Sequence, residues 1–208
     1  MRKISALMVT ILMMWAGLRY CWLTIVGKND PVFASWLVLT VSVGIAFWTY
    51  WTTDHHSLVD NIGNTVDLVV TALILATISI FGNNVRSGFT WFEISNLAIA
   101  GVVLIFWWRS KSPFLSNLAI QALMVIGYLP LIARMLTVDE NPEPWSSWIP
   151  IWFACVFAMV SAYLPKKDGE GAVKPRTWKD TFLPKVYATR ALVIVTVLLL
   201  LMLRAELD

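Results

Sequence analysis

Seven stretches of about 18 or more mostly apolar residues run through this chain, each long enough to cross the hydrocarbon of a bilayer when coiled as helix. They fall at about Ile4–Val26, Pro31–Trp51, Ile62–Phe81, Trp91–Trp108, Ser116–Leu136, Trp145–Leu164 and Tyr187–Arg204. Inside hydrocarbon each backbone amide must find its partner within the chain, so every stretch is predicted to be an α-helix. The seven take up most of the 208 residues. The expectation is one all-α integral membrane domain, 1–208, with seven transmembrane helices and no soluble catalytic module. Composition excludes the water-soluble alternative: 58% of residues are hydrophobic, 14% are charged, and mean hydropathy is +0.70. So few polar side chains could not cover a soluble surface. No nucleophile–base set and no metal cluster is recognisable, so the reading is neither an enzyme nor a cofactor protein.

The sixteen Lys and Arg residues are unevenly shared between the two faces. Eleven lie on the face holding the N-terminus and four on the other, with Arg19 inside the first span. The positive-inside rule then places the N-terminus and the Lys166–Lys185 loop in the cytoplasm and the C-terminus outside, as in a bacterial inner membrane. That loop contains Gly169, Gly171, Pro175 and Pro184 and is expected to be irregular. Its Lys166, Lys167, Lys174, Arg176, Lys179 and Lys185, beside Trp178 and Phe182, suit anionic lipid headgroups. This one loop accounts for the net charge of +3 without nucleic acid as a partner. Met1-Arg2-Lys3 before an apolar run imitates a secretory signal. The run continues past Arg19 and lacks an A-x-A site, so it is read as a retained span. Cys21 and Cys155 sit within spans at depths differing by ~7 Å, which argues against a disulfide.

Polar residues inside spans are expensive and therefore informative. Asp60, Asn64, Asp67 and Thr71 recur at helical spacing on one face of the third span, opposite Val, Leu and Ile. Asp60 also fits a helix N-cap. Asp67, ~7 Å below the surface, is the first candidate site residue, with a structural ion pair as the alternative. Arg19 either snorkels or lines a vestibule. Asn96, the fourth span's one amide, either joins helices or binds a ligand. Gln121 lies more than a turn inside the fifth span. Pro130 removes a backbone donor there, and with Gly127 it forms either a packing kink or a gating hinge. Asp54-His55-His56 reads as a solvated loop, since neighbouring histidines diverge and no four-ligand spacing is present. Asp139, Glu140 and Glu143 read as a solvated acidic loop, and Glu93 as a solvated surface residue. Span seven is nearly all Val and Leu, with Thr189, Arg190 and Thr196.

Two helical hairpins share one layout. In the first, Gly17 precedes a short loop with Asp30-Pro31, and Trp36 opens the return helix. In the second, Gly127 precedes a loop with Pro144, and Trp148 opens the return. The chain thus divides into repeat one (about 4–82), a linker helix (about 91–108) and repeat two (about 116–204). An odd linker gives both repeats the same orientation. This plan, with Gly127-Tyr128-Leu129-Pro130-Leu131-Ile132 as the proline-bearing helix, resembles the PQ-loop superfamily. That group includes the SWEET sugar transporters and nicotinamide-riboside-type relatives. The family's Pro-Gln pair is Pro130-Leu131 here. The resemblance implies two parallel three-helix bundles around a midplane cavity, moving a small polar, sugar- or nucleoside-like solute by alternating access. It implies solute or proton contacts at Asp67, Asn64 and Thr71, with Asn96 and Gln121 further candidates, Trp36 and Trp148 at the mouth, and Pro130 and Gly127 as hinge. A homo-oligomer is compatible with this plan. The competing reading is a non-transporting scaffold, subunit or sensor.

Overall fold

The computed structural model describes residues 2–53, 62–82, 89–110, 113–163 and 178–207. The described residues form seven α-helices: α1 Arg2–Ile25, α2 Phe33–Thr53, α3 Ile62–Phe81, α4 Trp91–Arg109, α5 Pro113–Thr137, α6 Trp145–Tyr163 and α7 Trp178–Leu207. Four carry stretches long and apolar enough to cross a membrane: Ile4–Ile25, Trp91–Arg109, Leu118–Thr137 and Ala188–Leu207. The apolar runs of α2, α3 and α6 are shorter. Those helices nevertheless extend over 21, 20 and 19 residues, about 30 Å of rise each. This is a helical membrane protein.

Its outer surface is apolar. On α1 the exposed residues Ile4, Leu7, Ile11, Trp15, Leu18, Trp22 and Ile25 follow one another at three- and four-residue steps. That period draws a continuous greasy stripe down one side of the helix. The inward side of α1 carries Ala16, Tyr20 and Thr24, all buried. α4 exposes large apolar side chains along its length, from Trp91 to Trp108, and buries chiefly Asn96 and Ala100.

The principal contacts place α3 between α1 and α2, and α7 between α5 and α6. The two triples meet along α1–α6 and α2–α5, and α4 lies on α5. Small residues permit close approach. At Gly17 an added Cβ would stand 2.6 Å from Val70 Cγ1 of α3. At Gly127 it would stand 3.0 Å from the Leu39 side chain of α2. Side-chain bonds between helix ends fix the up-and-down order. Ser5 Oγ near the start of α1 donates to Phe157 O late in α6. Arg134 near the end of α5 pairs with Asp30, just beyond α1, at 2.7 Å. The end opposite the N-terminus, here the distal end, therefore gathers the last turns of α1, α5 and α7 with the first turns of α2 and α6.

Local chemistry sets the ends. After α1, Gly27 adopts φ +67°, and Lys28 N–H and Gly27 N–H bond back to Leu23 O and Thr24 O. This is a Schellman stop, which glycine adopts without a Cβ clash. Pro31 lies two residues before α2 rather than opening it. Thr90 caps α4: its Oγ1 accepts from Glu93 N–H, and the Glu93 carboxylate accepts from Thr90 N–H. Glu93 is thus one half of a capping box, not merely a solvated surface charge.

The irregular loop expected through Lys185 is corrected in part. α7 begins at Trp178 and runs 30 residues, so Lys179 and Lys185 are helical. Pro184, the seventh residue of α7, forfeits one backbone bond, and the helix continues through it into the long apolar run beyond. Asp54-His55-His56, Asp60, Lys166, Lys167, Lys174 and Arg176 lie outside the described residues.

Because Val70 is stiff at χ1, Gly17→Ala should destabilise the protein by about 1–3 kcal/mol through overpacking. Gly101→Ala, where no atom lies within 4 Å, should leave stability unchanged or raise it. Thermal unfolding midpoints in detergent micelles compare the two.

Candidate functional site

Among the described residues, two polar clusters interrupt the apolar interior. The first lies among α2, α3, α5 and α7. There Asp67 and Thr71 of α3, Tyr128 of α5 and Arg190 of α7 line a cavity of about 30 Å³, with Leu39, Val43 and Met124 as its apolar walls. That volume holds little more than one water. Thr71 Oγ1 donates to Asp67 O at 2.8 Å, its own helix backbone, which leaves the hydroxyl oxygen as an acceptor. A carboxyl, a guanidinium and two hydroxyls thus face one small space, supplied by both helical triples. Such a set can orient a polar molecule through donors and acceptors together.

The second cluster closes the distal end. Tyr20 of α1, Trp36 of α2 and Trp148 of α6 meet Glu143, which belongs to the short loop before α6. Trp148 Nε1–H donates to Glu143 Oε2 at 2.8 Å. The Tyr20 hydroxyl donates to the same carboxyl at 3.1 Å and 3.3 Å. Trp36 Nε1–H in turn donates to the Tyr20 oxygen at 3.3 Å. The Tyr20 and Trp36 rings pack in a tilted arrangement with centroids 5.0 Å apart. Every donor in this chain points toward one carboxyl, which is only 3% exposed. Burial pushes the Glu143 carboxyl up to about 7, against the lowering effect of its Trp148 and Tyr20 hydrogen bonds and of Arg134. Outside this cluster, Asn141 Oδ1 accepts the Glu143 backbone N–H at 3.0 Å, and Trp145 Nε1–H donates to Glu206 of α7. The closed end also leaves polar atoms unsatisfied. Both side-chain heteroatoms of Asn29, and the hydroxyls of Ser35 and Ser147, are buried without a hydrogen-bond partner. Each such group costs about 1–3 kcal/mol.

The sequence-predicted residues separate accordingly. Asp67 and Thr71 come together in the cavity. Asn64 is in the first turn of α3, and its side chain is outside what is described. Trp36 and Trp148 are buried, at 5% and 1% exposure. They plug the distal end instead of lining an open mouth, because both indole N–H groups are drawn to the Tyr20–Glu143 pair. Asn96 is not in the cavity. Its Nδ2 donates to Ile126 O of α5 at 2.9 Å. Ile126 is four residues before Pro130, and its carbonyl is the one that proline leaves without a helical donor. Asn96 is therefore the splint for the proline, and α5 continues as α-helix through Pro130. Gln121 falls on the α5 face of Met124 and Tyr128, but it does not line the cavity. Its Oε1 is buried without a partner. Gly127 is packed against Leu39 rather than standing in open space. Arg19 is half-buried and bonds Ser146 Oγ at 3.3 Å.

Glu143 corrects the expectation of a solvated loop. Asp139 and Glu140 are exposed, whereas Glu143 turns inward, because Tyr20 and two indoles offer donors there. Tyr20, Tyr128 and Arg190 were also missed. One signal was available. Asn-x-x-x-aromatic-x-Ser-Trp occurs twice, as Asn29, Phe33, Ser35, Trp36 and as Asn141, Trp145, Ser147, Trp148, at one constant offset. No family model matches the chain, and searches of curated proteins and of solved structures return no match.

Asn96→Ala should cost about 1–3 kcal/mol by orphaning the Ile126 carbonyl. Pro130→Ala restores the helical N–H, so in that background the cost of Asn96→Ala should shrink by more than half. A double-mutant cycle on thermal unfolding reads this coupling. For Glu143 the folded-state value lies above the ordinary 4.5. The folded protein therefore binds this proton more tightly than the unfolded chain. Its contribution is full below about 4.5 and is lost as pH rises to about 7, at most about 3 kcal/mol. The unfolding midpoint should fall between pH 5 and pH 8, and Glu143→Gln should flatten that slope.

Proposed function

We propose that this protein is a membrane carrier that moves a small polar solute by alternating access. The observation that carries the reading is the cavity lined by Asp67, Thr71, Tyr128 and Arg190. Both triples contribute to it, and its chemistry is polar where the surrounding interior is apolar. In this reading α1–α3 and α5–α7 are parallel repeats and α4 is the linker. The shared helix order, with the third helix of each triple in the middle, supports this. So does the doubled Asn–aromatic–Ser–Trp motif. The conformation is then one closed at the distal end by the Glu143 cluster. Asp67 and Arg190 would take opposite ends of a solute that both donates and accepts hydrogen bonds, a sugar- or nucleoside-like metabolite among them. Solute would replace the little water that the cavity holds, and the space would widen as the triples rock. The likeness to PQ-loop proteins belongs to this proposal, as do an inner-membrane location, a cytoplasmic N-terminus and anionic lipid at Lys179 and Lys185.

A second reading is favoured by one observation. The cavity is small, and around it a single apolar cluster runs through Ala16, Ile74, Leu131, Trp148 and Leu198. A solid centre of that kind also suits a non-transporting scaffold or sensor.

Proteoliposomes separate the two. Uptake of at least one compound from a panel of labelled sugars, nucleosides and other small polar metabolites should exceed that of empty vesicles. Asp67→Asn should reduce it at least about tenfold, the loss of one charged hydrogen bond, with insertion unchanged. No flux across the panel would sink the carrier reading and leave the scaffold.

A further inference from the structure

We propose that Glu143 is a proton-operated latch of the distal end: protonated, it holds Tyr20, Trp36 and Trp148 shut, and ionised, it loosens them and admits water toward the cavity. This extends the carrier reading, on which only its use in coupling depends.

The geometry comes first. One carboxyl joins α1 through Tyr20, α6 through Trp148 and, by way of Tyr20, α2 through Trp36. These helices belong to different triples, so parting the triples at this end must break that junction. Tyr20 and Trp148 are each 1% exposed, so breaking it also hydrates the site. The closed arrangement is not fully satisfied. Asn29, Ser35 and Ser147, in the same segments, keep buried polar atoms without partners, and opening would give them water. An end held by this junction and by the Arg134–Asp30 pair, yet with polar groups unmet, has two competing arrangements.

Charge decides which protonation state favours which arrangement. The groups facing Glu143 are the neutral donors Tyr20, Trp36 and Trp148, together with Arg134 of α5 and Asp30 of the α1–α2 loop. Arg134 and Asp30 are paired with each other at 2.7 Å and act on Glu143 in opposite directions. From α7, Glu206 bonds Trp145 and Asn141 at the loop edge. No dedicated cation among the described residues contacts the carboxyl, so burial dominates and raises its proton affinity. A hydrated carboxyl in an opened end has the ordinary affinity. The closed end therefore binds the proton more tightly, and protons close the latch. The effect develops between about 4.5 and 7 and is complete above it. A proton taken up from the distal side would be trapped as the end closes, which ties solute movement to a proton.

The test uses the full chain in phosphatidylcholine nanodiscs. Ser147, which is 0% exposed, is replaced by cysteine in a Cys21→Ala, Cys155→Ala background and labelled with an impermeant maleimide. Thiolate content itself rises with pH, so the readout is the labelling rate with Glu143 divided by that with Glu143→Gln. The ratio should be near one at pH 5 and at least about fivefold higher at pH 8. A ratio that stays flat overturns the latch. Amide hydrogen exchange of Trp145 to Trp148 in the unmutated protein, normalised for intrinsic rates, gives an independent reading. Protection should fall over the same interval, and constant protection likewise overturns the proposal. A rising ratio without solute flux keeps the latch and removes the carrier. Flux with a flat ratio does the reverse.

Discussion

Hydrocarbon offers a buried polar group no water, so each one must find its partner inside the protein. Most hydroxyls here solve this within their own helix. Thr24 donates to Tyr20 O, Thr40 to Trp36 O and Ser42 to Val38 O. Such bonds join nothing across the bundle. The groups that cannot be satisfied locally are the ones that bring helices together. The Ile126 carbonyl, stripped of its donor by Pro130, draws Asn96 and with it α4. Glu143 draws Tyr20 and Trp148, and through Tyr20 it draws Trp36. Apolar packing supplies area, but it has little preference among neighbours when lipid is as greasy as the core. The polar exceptions supply address.

The two polar clusters differ in kind. In the cavity, a carboxyl and a guanidinium come from helices of opposite triples, with two hydroxyls in the same lining and room for almost nothing. At the distal end, neutral donors converge on one buried acid. The rigid indoles add to this. Trp36 and Trp148 occupy matching places in the doubled motif and approach the Tyr20–Glu143 pair from the two triples.

Much of the fold was legible in the sequence. Apolar runs of bilayer length gave the helices, because length and composition act residue by residue along one segment. Spacing along α3 also put Asp67 and Thr71 on one face, and they share a cavity. What resisted reading was whatever depended on a partner far away in the chain. Glu143 looks like any loop acid until Tyr20, 123 positions distant, supplies its donor. Asn96 has no local sign that its partner is a carbonyl 30 residues on. Arg190 sits in a run of Val and Leu and counts as one more basic residue near a helix start, yet it reaches the cavity. The α7 start was misplaced because proline and glycine punctuate a sequence more strongly than they stop a helix that has a long apolar run ahead of it.

The splint between Asn96 and the α5 carbonyl has a mechanical corollary. α4 packs mainly on α5 and only sparsely on α2, and between α2 and α4 an apolar groove of about 190 Å³ passes Val41, Gly101 and Leu104. Counted by sequence the helices divide three, one and three; in space α4 goes with the second triple. A shear between the halves would slide along α1–α6 and α2–α5 and would change the width of that groove, which acyl chains could follow. The bilayer would then act as the lubricant of the seam, and its thickness and chain order would set how freely the halves slide.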